Sequence, residues 1–125
     1  MKDSEMTIMV VDDDPGLRDI FTVLLEEEGI VVVAAENGKE AWKQLTSGKH
    51  KINAIISDVI MPEMDGKQLL KKIATLPVQE RPLIYMMSGH SELTRDEAIA
   101  MGAQDMIPKP FDIEKLIGDI RSKLS

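Results

Sequence analysis

The chain has 125 residues, 43% hydrophobic and 30% charged, the proportions of one soluble globular domain able to bury a core without staples. A formal net charge of −7 argues against direct nucleic-acid binding, because phosphate recognition needs a basic stripe. There is no cysteine for a disulfide or thiolate chemistry, and the polar start Met1–Met6 and short apolar runs predict a cytoplasmic protein with no signal peptide and no membrane span.

Five times a short apolar stretch is followed by an amphipathic one. Ile8–Val11 reads as a strand, and Asp14 as the cap of a helix with Pro15 at its first position. Leu17, Ile20, Phe21 and Leu24 then recur at helical spacing, and Gly29 ends that helix. Ile30–Ala34, rich in valine, reads as the second strand. Asn37-Gly38 opens a second helix with Ala41 and Leu45 on its buried face, and Ile52–Ser57 is the third strand. The loop Val59–Met64 leads to Asp65 as a cap, and Leu69, Leu70 and Ile73 form the apolar face of a third helix. Pro77 and Pro82 bracket a linker before the fourth strand, Leu83–Met87. Ser91 or Glu92 starts a fourth helix, which Gly102 stops. Asp105–Pro108 is a short fifth strand, and Asp112 caps a last helix with Ile113, Leu116, Ile117, Ile120 and Leu124 on one side.

Strands separated by helices imply an α/β domain with parallel pairing and right-handed crossovers, spanning residues 1–125 with no effector domain. The first, third and fourth strands are nearly all apolar, as positions covered on both faces require. Pro108 cannot donate a ladder hydrogen bond, which puts the fifth strand at an edge. By analogy, these features suit a flavodoxin-like, doubly wound five-stranded sheet of order 2-1-3-4-5.

In such sheets the ligand crevice lies beyond the carboxyl ends of the strands, where strand order reverses. Asp12 and Asp13 directly follow the first strand and Asp58 the third, so three carboxylates gather there. Like charges repel unless a proton or a cation joins them, and Mg²⁺ is the simplest remedy, since it takes one or two carboxylates, waters and phosphate oxygens. One carboxylate can then act as nucleophile and form an aspartyl phosphate. Lys109, after the fifth strand, supplies a cation for the phosphoryl oxygens, and Ser88, after the fourth, a hydroxyl.

The segments VVDDDP at Val10–Pro15, SDVIMPEMDG at Ser57–Gly66, MMSGH at Met86–His90 and IPKPF at Ile107–Phe111 resemble those of bacterial two-component response-regulator receiver domains, of the chemotaxis and sporulation single-domain type. The resemblance covers essentially the whole chain. It implies that Asp58 is the phosphoacceptor, and that Asp12, Asp13 and Asp58 hold Mg²⁺ (or Mn²⁺) with the backbone carbonyl of Ile60. It makes Ser88 the hydroxyl that moves toward the phosphoryl group, Lys109 the family's lysine, and Lys109-Pro110 a cis peptide. The implied partners are a sensor histidine kinase or histidine phosphotransfer protein and an output partner or domain met through the fourth helix, fifth strand and fifth helix. No membrane or direct nucleic-acid partner is implied, and the domain is a signalling phosphoacceptor rather than an enzyme.

Two positions depart from the common family pattern. Met106 stands at the switch position of the fifth strand, often aromatic, so the relay would run through a flexible methionine. Ile60 and His90 match positions at the site rim; the first is apolar and shields against water, the second is polar. Plainer roles suffice elsewhere: Asp14 caps a helix, His50 is solvated, Trp42 is partly buried, the methionines fill the core, and Lys67, Lys71 and Lys72 form a solvated helix face. Two other functions compete. A haloacid-dehalogenase-like phosphohydrolase also uses an aspartate nucleophile, and Asp12-x-Asp14 superficially fits its motif, but the chain is short and lacks a second acidic pair. A constitutive binding module would use the acidic face unphosphorylated.

Overall fold

The computed structural model describes residues 6–88, 93–108 and 112–124; of Ser88 and Pro108 it describes the backbone. The elements are β1 (Thr7–Val11), α1 (Pro15–Glu27), β2 (Val31–Ala35), α2 (Gly38–Thr46), β3 (Ala54–Asp58), α3 (Gly66–Ile73), a 3-10 turn (Val78–Glu80), β4 (Leu83–Ser88), α4 (Arg95–Ala100), β5 (Asp105–Pro108) and α5 (Ile113–Leu124). The strands form one parallel sheet of order β2-β1-β3-β4-β5, as expected, with β5 at an edge.

Strand alternation sorts the core into two layers. Met9, Val11, Ile55, Met86 and Met106 point to one face, under Ala41 of α2, Leu69, Leu70 and Ile73 of α3 and Ala98 of α4. Ile8, Val10, Ile56, Tyr85 and Met87 point to the other, under Phe21 and Leu25 of α1 and Leu116, Ile117 and Ile120 of α5. Each fully buried aliphatic side chain contributes about 1.5–3 kcal/mol relative to exposure, so the doubly covered central strands anchor the fold.

The helix starts follow the expected chemistry. The Asp14 carboxylate accepts from the Gly16 and Leu17 amides with Pro15 next in chain. Asn37 caps α2 through the Glu40 amide, Asp65 and Gln68 form a capping box on α3, and Asp112 accepts from the Glu114 and Lys115 amides.

Several expectations shift. Ile20 is 56% exposed, because the buried stripe of α1 runs through Phe21 and Leu25, one position further round the helix. β2 begins and ends one residue later than Ile30–Ala34. β3 begins at Ala54, not Ile52, because Asn53 closes the ladder: its amide donates to the Thr7 carbonyl (2.9 Å) and its side-chain carbonyl accepts from the Thr7 amide (2.8 Å). β3 also runs one residue further, so Asp58 is its last residue rather than the one after it. α4 starts at Arg95, capped by Thr94 in a capping box with Glu97; Ser91 and Glu92 lie outside the described residues.

Candidate functional site

β1 and β3 are neighbours, and the chain crosses from one side of the sheet to the other between them. Asp12 and Asp13 follow the end of β1, Asp58 ends β3, and one carboxylate oxygen from each lies within 4.8 Å of the others. Asp12 is buried at 1% exposure, Asp58 is half-buried and Asp13 exposed, so the cluster is a crevice with an open mouth.

Backbone hydrogen bonds fix the two walls. The Asp12 amide donates to the Ala35 carbonyl at 3.2 Å, extending the β1–β2 ladder by one residue, and Asp12 Oδ1 accepts from the Asp14 amide at 2.9 Å. Arg18 reaches back from α1 and donates through Nη1 to the Asp12 carbonyl at 2.6 Å. Opposite, Asp58 Oδ1 accepts from the Val59 amide at 2.8 Å, which sets the rotamer of that carboxylate, and Ser57 Oγ donates to the Asp58 carbonyl at 2.8 Å.

Two glycines tighten the loop after β3. The Gly66 amide donates to the Val59 carbonyl at 2.8 Å, and a Cβ on Gly66 would stand 2.4 Å from Met86 Cε. The Gly38 amide donates to the Met64 carbonyl at 2.8 Å, where a Cβ would come within 2.4 Å of that oxygen. Glu63 in the same loop has φ 68°, a left-handed conformation that the surrounding bonds hold in place.

The donor set is oxygen only, anionic and preformed on rigid strand ends, which suits a hard divalent ion and not a soft one. Of the other expected site residues, Ile60 is 60% exposed, two residues beyond Asp58. Met106 is buried at 8% exposure and pairs with Met86, so its side chain belongs to the core under α4. Ser88 ends β4 beside Pro108, and its side chain is not described; Lys109, His90 and the Lys109-Pro110 peptide lie outside the described residues. Arg18 and the close approaches of Gly38 and Gly66 were missed from sequence. Helix side chains lean toward the N-terminus, which is the signal that could have directed Arg18 back to Asp12.

A doubly wound parallel sheet with an acidic crevice at its switch point defines the CheY-like architecture. The chain belongs to the response regulator receiver domain family, whose model matches residues 8–121. It is 41% identical over 115 residues to an uncharacterised 14.6 kDa protein of Leptolyngbya boryana, covering 91% of this chain and 86% of that one. It is 36% identical over 117 residues to the transcriptional regulatory protein CpxR of Escherichia coli, covering 94% of this chain but 48% of CpxR, so it spans about half the length of that relative. Among solved structures, a CheY-like receiver domain protein of Methanospirillum hungatei superimposes with a TM-score of 0.83 at 28% identity, covering 95% of this chain and 93% of that one. Phosphotransfer is the general function of the family. No helix among the described residues is long and apolar enough to cross a membrane.

Proposed function

We propose that Asp58 accepts a phosphoryl group from the phosphohistidine of a sensor histidine kinase or histidine phosphotransfer protein in the cytoplasm. The modification then shifts the domain between two conformations that an output partner or an attached domain distinguishes. The observation that carries this reading is the convergence of Asp12, Asp13 and Asp58 within 4.8 Å where the strand order reverses.

Asp12, Asp13 and Asp58, with the backbone carbonyl of Ile60, are the candidate holders of Mg²⁺, which Mn²⁺ can replace. When bound, the ion supplies neutralisation of the carboxylates and of the phosphoryl oxygens. The Val59 amide orients the Asp58 carboxylate through Oδ1, and a carboxylate oxygen of Asp58 is the nucleophile. Its bond to phosphorus forms as the P–N bond to the donor imidazole breaks, and the leaving imidazole takes up a proton. Lys109 pairs with one phosphoryl oxygen and the Ser88 hydroxyl donates to another. Ile60, exposed two residues beyond Asp58, screens the acyl phosphate from water, and His90 is the other candidate rim residue. The domain assists its own phosphorylation and dephosphorylation and turns over no external substrate.

Incubation with phosphoramidate and Mg²⁺ is expected to add one phosphoryl group per chain, with none added to Asp58→Ala. Labelling that survives that substitution sinks the assignment.

A further inference from the structure

Charge is unevenly spread over this chain. Its net charge is −7, yet α2 and α3 carry Lys39, Lys43, Lys67, Lys71 and Lys72 against one acidic residue, Glu40. Glu40 is turned toward β2: its carboxylate accepts from Gln44 Nε2 at 3.4 Å, and the same amide donates to the Ala34 carbonyl at 2.9 Å. Lys67 faces α4, within Coulombic reach of Glu97. The other four lysines are exposed: Lys39 and Lys43 are four apart on one face of α2, and Lys71 and Lys72 lie in the last turn of α3.

An open groove of about 510 Å³ runs along α3, lined by Met64, Gln68, Lys71, Lys72 and Thr75. Lys72 Nζ lies 5.8 Å from the centre of the Trp42 ring on α2, a cation–π contact that ties the two helices. Met64 and the lysine stems give the groove apolar surface, and the ammonium groups crown it. The nearest acids in the chain, Glu63 and Asp65, sit at the N-terminal end of α3, where the Asp65 carboxylate is occupied by the Gln68 amide. The negative end of α3 favours Lys71 and Lys72 in its last turn. It does not account for Lys39, which sits at the positive end of α2.

We propose that this groove docks an acidic peptide segment of a partner protein, with an apolar side chain seated beside Met64 and carboxylates facing Lys71 and Lys72. A short segment fits the charge pattern better than a nucleic acid does. Acids outnumber bases in the rest of the chain, so a polyanion longer than the patch meets a net negative charge beyond it. Lys71 and Lys72 lie in the last turn of α3, at the end away from Asp58.

Trp42 is the single tryptophan and reports on the groove directly. The probe is a synthetic peptide of glutamates interleaved with leucines at helical spacing, titrated into the full chain at low ionic strength. Binding is expected to saturate, to change Trp42 fluorescence and to move the amide resonances of Gln68, Lys71 and Thr75. Reversing both charges (Lys71→Glu with Lys72→Glu) is expected to weaken it roughly tenfold or more, as lost charge complementarity does. Lys115→Glu, an exposed change on α5, leaves it intact. Circular dichroism checks the fold of the double variant, and should that variant be unfolded, Lys72→Gln and a salt titration of the wild type give the same readout. The proposal is overturned by any of three results: no saturable binding, equal binding after charge reversal or after leucine-to-serine replacement in the peptide, or tighter binding of a single-stranded oligonucleotide of equal charge.

Discussion

A methyl group on Gly66 would stand 2.6 Å from the backbone carbonyl oxygen of Asp58, so the first turn of α3 sits directly against the last residue of β3. No side chain fits between them without moving Asp58 or Met86. Gly66→Ala is therefore expected to cost about 1–3 kcal/mol in denaturant unfolding, the usual range for overpacking, and to slow phosphorylation of Asp58 by displacing its backbone. Gly118→Ala is the contrasting control. That glycine lies inside α5 with open space around its missing Cβ, so the change is expected to stabilise by about 0.5–1 kcal/mol through helix propensity.

Three carboxylates within 4.8 Å make the crevice a store of repulsion that a divalent ion relieves. Mg²⁺ is expected to raise the midpoint of thermal unfolding in a concentration-dependent way, as any ligand bound only by the folded chain does. Asp13→Asn is expected to raise the midpoint measured in chelator by a few degrees and to remove most of the Mg²⁺ response. Calorimetry with and without Mg²⁺ separates the two effects. A full Mg²⁺ response in Asp13→Asn together with Asp12→Asn places the ion elsewhere.

On the opposite layer, the Tyr85 hydroxyl donates to the Asp119 carboxylate and joins β4 to α5. Burial first, then the Asp119 hydrogen bond and charge and the more distant Asp105 charge, raise this phenol well above its ordinary value of 10.0. Above 10.0 the unfolded chain gives up the proton while the folded chain keeps it, so stability is complete below that pH and falls as the pH climbs past it. Tyr85 is the single tyrosine, so phenolate absorbance follows it alone. Absorbance and loss of helical circular dichroism are expected to rise together. A phenolate forming near its ordinary pKa with the helical signal intact contradicts the buried tie. Tyr85→Phe is expected to cost about 1 kcal/mol at neutral pH, the lost hydrogen bond to a partly solvated acceptor.

The parts of this protein that local chemistry dictates could be read directly from its residues. Asp14-Pro15, Asn37-Gly38 and Asp112 announce helix starts because a side-chain oxygen next to the first turn satisfies orphan amides, and all three do so. The apolar runs of β1, β3 and β4 announced burial on both faces, and Asp12, Asp13 and Asp58 were placed together once the strands were in order. Tertiary contacts decided what was misread. Ile52 is buried and apolar like its strand neighbours, but the long-range pairing of Asn53 with Thr7 starts β3 later. Ile20 fits the helical period of α1 as well as Leu25 does, and only the position of the sheet selects Leu25. The tightness at Gly38 and Gly66 depends on loops meeting across the fold, which spacing along the chain does not express.

The central claim is that Asp58, rather than its two neighbours in the crevice, carries the phosphoryl group. An acyl phosphate is reduced by borohydride to an alcohol, whereas a free carboxylate is not. Reductive trapping of the phosphoramidate-treated protein, followed by peptide mass mapping, is predicted to find homoserine at position 58 and intact aspartates at Asp12 and Asp13. Homoserine at position 12 or 13, or a phosphoryl group that borohydride leaves in place, contradicts it.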